Sequence, residues 1–240
     1  MKTIKRLYLG ILAGILVLAA CNQSNYKNEQ NDLTKINFED TIKINPGPQK
    51  DTTWRILVKD PSVKITFPEL EIFFDSLYIW NEGNLSGIDN DTCRIYLELG
   101  ETIENRMLQI KSKDNIKLKF YQRYENSITV MNEGPHCDLT EWKHFDSPYH
   151  ELKINGNRLK TVEFSSADRE KFVKVDMKEL LAYIKDYCGK EWSDIARQAK
   201  SIRQYPFGIG QSRIFLKIEI IHSDNSKTER IISFEIPMGC

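Results

Sequence analysis

Between residues 54 and 164 large apolar side chains recur at every second position, the spacing of a strand with one buried face. Ile56 and Val58, then Val63, Ile65 and Phe67, open the pattern, and residues 72–80 add a dense aromatic run. Ile95, Leu97 and Leu99 alternate with Arg94, Tyr96 and Glu98; Ile116, Leu118 and Phe120 alternate with Lys117, Lys119 and Tyr121. Turn chemistry separates these runs at residues 84–91, beside Gly83 and Gly87. Asn155-Gly156, between the runs 151–154 and 158–164, predicts a hairpin, because that pair accepts positive φ at both turn positions.

The period lengthens after Ser165. Asp176 followed by Glu179 predicts a capped helix start, and Leu180, Leu181, Ile184, Tyr187 and Cys188 share one helical face. Gly189 ends that face; Trp192, Ile195, Ala199 and Ile202 begin another at spacings of three and four. Tyr205-Pro206-Phe207 breaks the helical pattern, with Gly208-Ile209-Gly210 read as a connector rather than a phosphate loop, since it follows a helix and precedes a strand. Ile214, Leu216, Ile218 and Ile220 then answer Ile232, Phe234 and Ile236 across the turn residues 224–227. Each strand of that C-terminal hairpin can bury three or four large side chains at ~1.5–3 kcal/mol apiece before entropy is counted. The expected fold is α+β: an antiparallel sheet with a helical segment, about 176–203, packed on it and a C-terminal hairpin.

Residues 22–51 are polar, contain Pro46-Gly47-Pro48, and read as a flexible tether that cannot bury enough surface to offset its ordering entropy. Ahead of them, Lys2, Lys5 and Arg6 precede an uncharged run at 7–20, a secretory signal pattern. Fourteen residues at ~1.5 Å each fall short of a ~30 Å hydrocarbon core. Leu18-Ala19-Ala20-Cys21 resembles the lipobox of bacterial lipoproteins. The resemblance implies a diacylglycerol thioether on Cys21, cleavage before it, acylation of the new amine by a chain such as palmitate, and a place in the cell envelope. The outer membrane is one such place, facing the periplasm or the cell surface. Two or three acyl chains at ~0.8 kcal/mol per buried methylene hold a protein almost permanently. The organisation expected is a signal peptide at 1–20, a tether at 21–51 and one α+β domain at 52–240.

Charge narrows the partners. The chain has 34 basic and 34 acidic residues; without Lys2, Lys5 and Arg6 the count is 31 against 34, a formal charge of −3. That balance excludes a nucleic-acid binder, which needs a concentrated basic surface. Beyond Cys21, four cysteines remain: Cys93, Cys137, Cys188 and Cys240. No C-x-x-C pair occurs, and in an oxidising compartment three pairings are open. Bridges kept within each half of the chain join Cys93 to Cys137 and Cys188 to Cys240, with buried free thiols as the alternative.

Candidate chemistry concentrates at His136, Cys137, Asp138, Glu141, His144, Asp146 and His150, where three imidazoles, His136, His144 and His150, offer a transition metal neutral nitrogen ligands. Pro135 and Pro148 mark the same stretch as a solvated loop. Trp80, Tyr121, Tyr124 and Trp142 are candidates for a sugar-stacking or protein-binding face. Neither a Gly-x-Ser-x-Gly elbow nor a His-Glu-x-x-His helix is present, and no cofactor motif is found. The reading that follows is a lipid-anchored, non-enzymatic protein-binding or assembly module, with a periplasmic immunity protein as one form. A glycan-binding lipoprotein and an envelope hydrolase or metal-dependent enzyme are the alternatives.

Overall fold

A computed structural model describes residues 42–44, 55–59, 61–80 and 92–239. The Leu18-Ala19-Ala20-Cys21 tetrapeptide, most of the tether, the turn at 84–91 and Cys240 lie outside them. Strands take up 46% and helices 13% of the described residues, so the α+β expectation is corrected: the fold is mostly β, built from two seven-stranded sheets.

The first sheet runs in the order β1 (Ile42–Ile44), β2 (Arg55–Lys59), β3 (Ser62–Thr66), β4 (Leu70–Phe74), then β6 (Met107–Ser112), and closes on β12 (Arg158–Lys160) and β11 (Ile154–Asn155). The second places β7 (Lys117–Met131) and β13 (Phe207–Ile221) at its centre, followed by β14 (Lys227–Glu235) and β5 (Thr92–Tyr96). The other edge of β7 meets β8 (His136–Asp138), β9 (Phe145–Asp146) and β10 (His150–Leu152), three pieces of one interrupted antiparallel partner. Among the described residues β14 and β5 are the parallel pair, and the other ladders are antiparallel. The run 151–154 is therefore split, β10 going to one sheet and β11 to the other, and the hairpin turn after β11 uses Gly156-Asn157, because Asn155 itself pairs with Arg158.

Alternation states which residues are buried but not against which sheet. Ile56, Val63, Ile65, Ile72 and Phe74 of the first sheet share one core with Ile95, Phe120, Ile214, Leu216, Ile218, Ile232 and Phe234 of the second. Phe74 meets Phe234 edge-on, with ring centroids 5.7 Å apart. Arg230 of β14 closes one side by gripping Glu69, its Nη2 2.8 Å from Oε1.

β7 and β13 each have 15 residues and span ~50 Å, longer than the first sheet's facing strands cover. Beyond Tyr124 the same face of β7 carries Ile128 and Val130, which form a second cluster with Phe207, Leu139 and the helical segment. After the four-residue α1 (Ser166–Arg169), α2 (Met177–Tyr187) starts at Asp176, whose side chain accepts from the Lys178 and Glu179 amides, and buries Leu180 and Ile184. Gly189, at φ 99°, turns the chain into the seven-residue α3 (Lys190–Ala196). Ala199 and Ile202 also pack on this cluster, though they lie past the end of α3.

Two further expectations change. Gly208-Ile209-Gly210 is no connector but part of β13, paired with Ile128 and its neighbours; Ser212 is an extra residue in that strand, so the alternation of 214–220 is out of phase with Phe207 and Ile209 and hides them from a period-two reading. Cys137 is bridged to Cys188, their Cα atoms 6.3 Å apart, rather than to Cys93. Cys93 lies on β5, wholly buried in the other core, where loss of water pushes its thiol well above the usual range. β8 and the end of α2 meet in the second cluster, which explains the bond; sequence separation does not.

Non-reducing peptide mapping is expected to join the peptides of Cys137 and Cys188 and to leave Cys93 unbridged. Phe234→Ala, which empties the space between the two sheets, is expected to lower stability by ~3–5 kcal/mol in urea unfolding.

Candidate functional site

Because Ser212 is extra, the residues after it place Arg213, Phe215, Lys217 and Glu219 on the outer face of the second sheet, opposite Glu125, Arg123, Tyr121 and Lys119 of β7. On β14 the same face carries Glu235, Ser233 and Glu229, and on β5 Arg94 and Tyr96. The chain between β8 and β10 makes two excursions over this face, the first bringing Glu141 and His144, the second Tyr149.

Arg213 is the hub. Its Nε lies 2.7 Å from Glu235 Oε2, its Nη1 3.0 Å from Glu125 Oε1, and its Nη2 binds Glu141. Arg94 Nε approaches the other Glu235 oxygen at 3.1 Å, and Ser233 Oγ donates to that oxygen at 2.9 Å. Glu125 is 2% exposed. Burial pushes its carboxyl up; Arg213, then His144, hold it down, and Asp146 adds to the rise. Burial also works against the Arg213 charge, but Glu235, Glu125 and Glu141 outweigh it and raise its pKa. A buried guanidinium with this many carboxylate partners fixes geometry more than it adds net stability.

Next to the hub, Asp146 sits opposite Glu125 in the β9 pairing and binds Arg123 through Oδ1. His144 Nε2 lies 3.2 Å from Asp146 Oδ2 and 3.8 Å from Glu125 Oε2. Further along, the Arg123 guanidinium stands 3.9 Å from the Phe215 ring and 5.5 Å from Tyr149; Lys217 Nζ is 4.8 Å from both Tyr121 and Tyr149. The Tyr121 hydroxyl donates to Glu219 at 3.2 Å. The face is thus a ladder of cations held between aromatic rings, ending at the acid–imidazole group.

The three candidate histidines do not converge. His136 pairs opposite Met131 and His150 opposite Gln122, nine residues apart on β7 and hence ~30 Å along the strand, so only His144 joins an acidic group. The proposed aromatic face is not assembled either. Tyr124 points into the core, 2% exposed and 4.4 Å from the Phe164 ring, with its hydroxyl donating to Asp168 at 3.3 Å. Trp142 packs beside Tyr183 in the helical cluster, Trp80 is exposed beside the β5 edge of the second sheet, where its amide donates to the Tyr96 carbonyl, and of the four Tyr121 is the one that stands against Lys217. The sequence pattern does not single out Arg123, Glu125, Arg213 or Glu235. Their one signal was a polar position at every second residue, which reads as ordinary solvated surface.

Two clefts, of about 420 and 390 Å3, open elsewhere, one beside Phe172, Val175 and Ile202 and the other beside Leu99, Gln211 and Met238. No family model, curated protein or solved structure matches the chain.

Burial already raises the Glu125 carboxyl, and Arg213→Ala removes the largest charge holding it down, so it titrates still further above its unfolded value. Such a group stabilises the fold at low pH, and that contribution is lost as pH rises through its folded value. The deficit against wild type in urea unfolding is expected to be ~3–5 kcal/mol near neutral pH and smallest at about pH 4.

Proposed function

We propose that the chain is a lipid-anchored protein of a bacterial cell envelope whose folded part recognises another protein through the outer face of the second sheet. The observation that carries the reading is the row of cations stacked against aromatic rings, Arg123 between Phe215 and Tyr149, and Lys217 between Tyr121 and Tyr149. Tyrosine and arginine are the residues most enriched where proteins bind tightly. Here the long side chains are already held by one another and by Asp146 and Glu219, so a partner need not immobilise them again. The face is a sheet surface rather than a cavity, which suits a broad macromolecular contact. The anchor rests on Leu18-Ala19-Ala20-Cys21, and the polar residues 22–41 stand between it and β1 in the chain. An inhibitor that neutralises a toxin at the envelope is the narrower form of this reading, since such a protein needs only a complementary surface.

The glycan-binding alternative draws support from Tyr78 and Trp80, two positions apart and 46% and 56% exposed. Retention on polysaccharide gels that disappears in Trp80→Ala would favour it.

In membranes of the native host, a photo-crosslinker placed at Tyr121 is expected to give a discrete protein adduct, and one placed at Lys111 on the first sheet to give none. Lys217→Ala is expected to weaken the partner's binding by ~1–2 kcal/mol. Equal labelling from both positions, or none from Tyr121, counts against the face. Incorporation of labelled palmitate is expected to vanish in Cys21→Ser; label that persists removes the anchor from the reading.

A further inference from the structure

The acid–imidazole group at the end of the ladder brings three acceptor atoms around one point. His144 Nδ1 lies 3.2 Å from the Trp142 carbonyl oxygen. A carbonyl oxygen only accepts, so Nδ1 carries the ring proton and Nε2 of the neutral ring presents a lone pair. That lone pair faces Asp146 Oδ2 at 3.2 Å and Glu125 Oε2 at 3.8 Å. Three electron-rich atoms repel one another unless a positive charge lies among them: either a second ring proton or a metal ion.

The surroundings favour the metal. Each carboxylate has its other oxygen engaged, Glu125 Oε1 by Arg213 at 3.0 Å and by Ser212 Oγ at 3.3 Å, Asp146 Oδ1 by Arg123. These contacts orient both groups and leave one oxygen of each for the shared point, while the Trp142 carbonyl does the same for the imidazole, the arrangement that outer contacts give to metal ligands. With ~2.0 Å bonds, donors at neighbouring corners of a tetrahedron are ~3.3 Å apart, between the two separations found here. The charge also calls for a cation. With His144 neutral, Glu125, Glu141, Asp146 and Glu235 outnumber Arg94, Arg123 and Arg213 by one. His144 and Asp146 keep 36% and 48% of their side chains exposed, so an ion can enter and a water can take the fourth position.

We propose that Glu125, His144 and Asp146 bind one divalent transition metal of the zinc class. An imidazole nitrogen with two carboxylate oxygens suits zinc, manganese or cobalt; calcium and magnesium prefer oxygen alone.

The test uses the full chain in detergent, stripped with chelator. Calorimetric titration with Zn2+ is expected to show one ion per chain, and Co2+ to develop visible d–d absorption. His144→Ala and Asp146→Asn, both at half-exposed positions, are expected to lose saturable binding while unfolding near the wild-type temperature; His136→Ala and His150→Ala are expected to keep it. In the wild type, added Zn2+ is expected to shift the His144 ring resonances first. Absence of Zn2+ and Co2+ binding in the wild type overturns the proposal and assigns the point to a second ring proton. Binding that survives His144→Ala, or Zn2+ shifts that begin at any of the chain's other three histidines, His136, His150 and His222, overturns it as well.

Discussion

Everything in this fold depends on the pairing of β7 with β13. Two antiparallel strands of 15 residues make a ribbon whose inner face is too long for a single cover. The first sheet covers the Phe120–Tyr124 end, and the helical segment with the Cys137–Cys188 bridge covers the Ile128–Val130 end. Between the two, polar side chains tie the covers to the ribbon. Gln122 exchanges hydrogen bonds with the Val162 backbone at 3.0 and 2.8 Å, and Asn126 donates to the carbonyls of Asp168 and Lys171 at 2.8 and 2.9 Å. Gln122 in this way satisfies both itself and the backbone it meets, whereas Asn126 serves two carbonyls through its amide nitrogen while its buried Oδ1 has no hydrogen-bond partner.

The extra residue in β13 couples the ribbon to the candidate site. Phe207 and Ile209 face inward before it, and Ile214, Leu216, Ile218 and Ile220 after it; without the shift in phase, one set would face out and Arg213 would face in. Ser212 is held at the irregularity by Ser127 Oγ at 2.7 Å and by the amide of Ile236, which donates to its carbonyl at 2.8 Å. One inserted residue thus fills two cores and sets a guanidinium among carboxylates on the outside. The interrupted partner of β7 completes that face, because strand pairing fixes Asp146 opposite Glu125 while the excursion before it is long enough to fold His144 back over them.

Electrostatics gives the outer face its character. Charges placed at alternate positions on neighbouring strands meet partners of opposite sign at fixed distances, and aromatic rings fill the spaces between them. Such a lattice is ordered before anything binds. The Arg123 guanidinium presents a flat, partly desolvated surface and the Lys217 ammonium a compact charge between two rings.

The chain alone determined the elements and the inward side of most of them. The strands around Ile65, Phe120, Leu216 and Ile232, the Asp176 helix start and the turn at Gly189 follow from local rules, since periodicity, capping and backbone freedom act within a few residues. The expectation of an export signal ending at Cys21 rests on a local pattern of the same kind. Tertiary structure decided the rest. Alternation is identical for strands of one sheet and of two, so it leaves the sandwich invisible and gives the helical segment too large a share of the fold. The join of Cys137 to Cys188, the separation of His136 from His150, and the meeting of Glu125, His144, Asp146 and Arg213 depend on register across strands and on one phase shift at Ser212. Long-range pairing is chosen by the packing of whole faces, a free energy summed over many residues, and no single stretch of sequence records that sum.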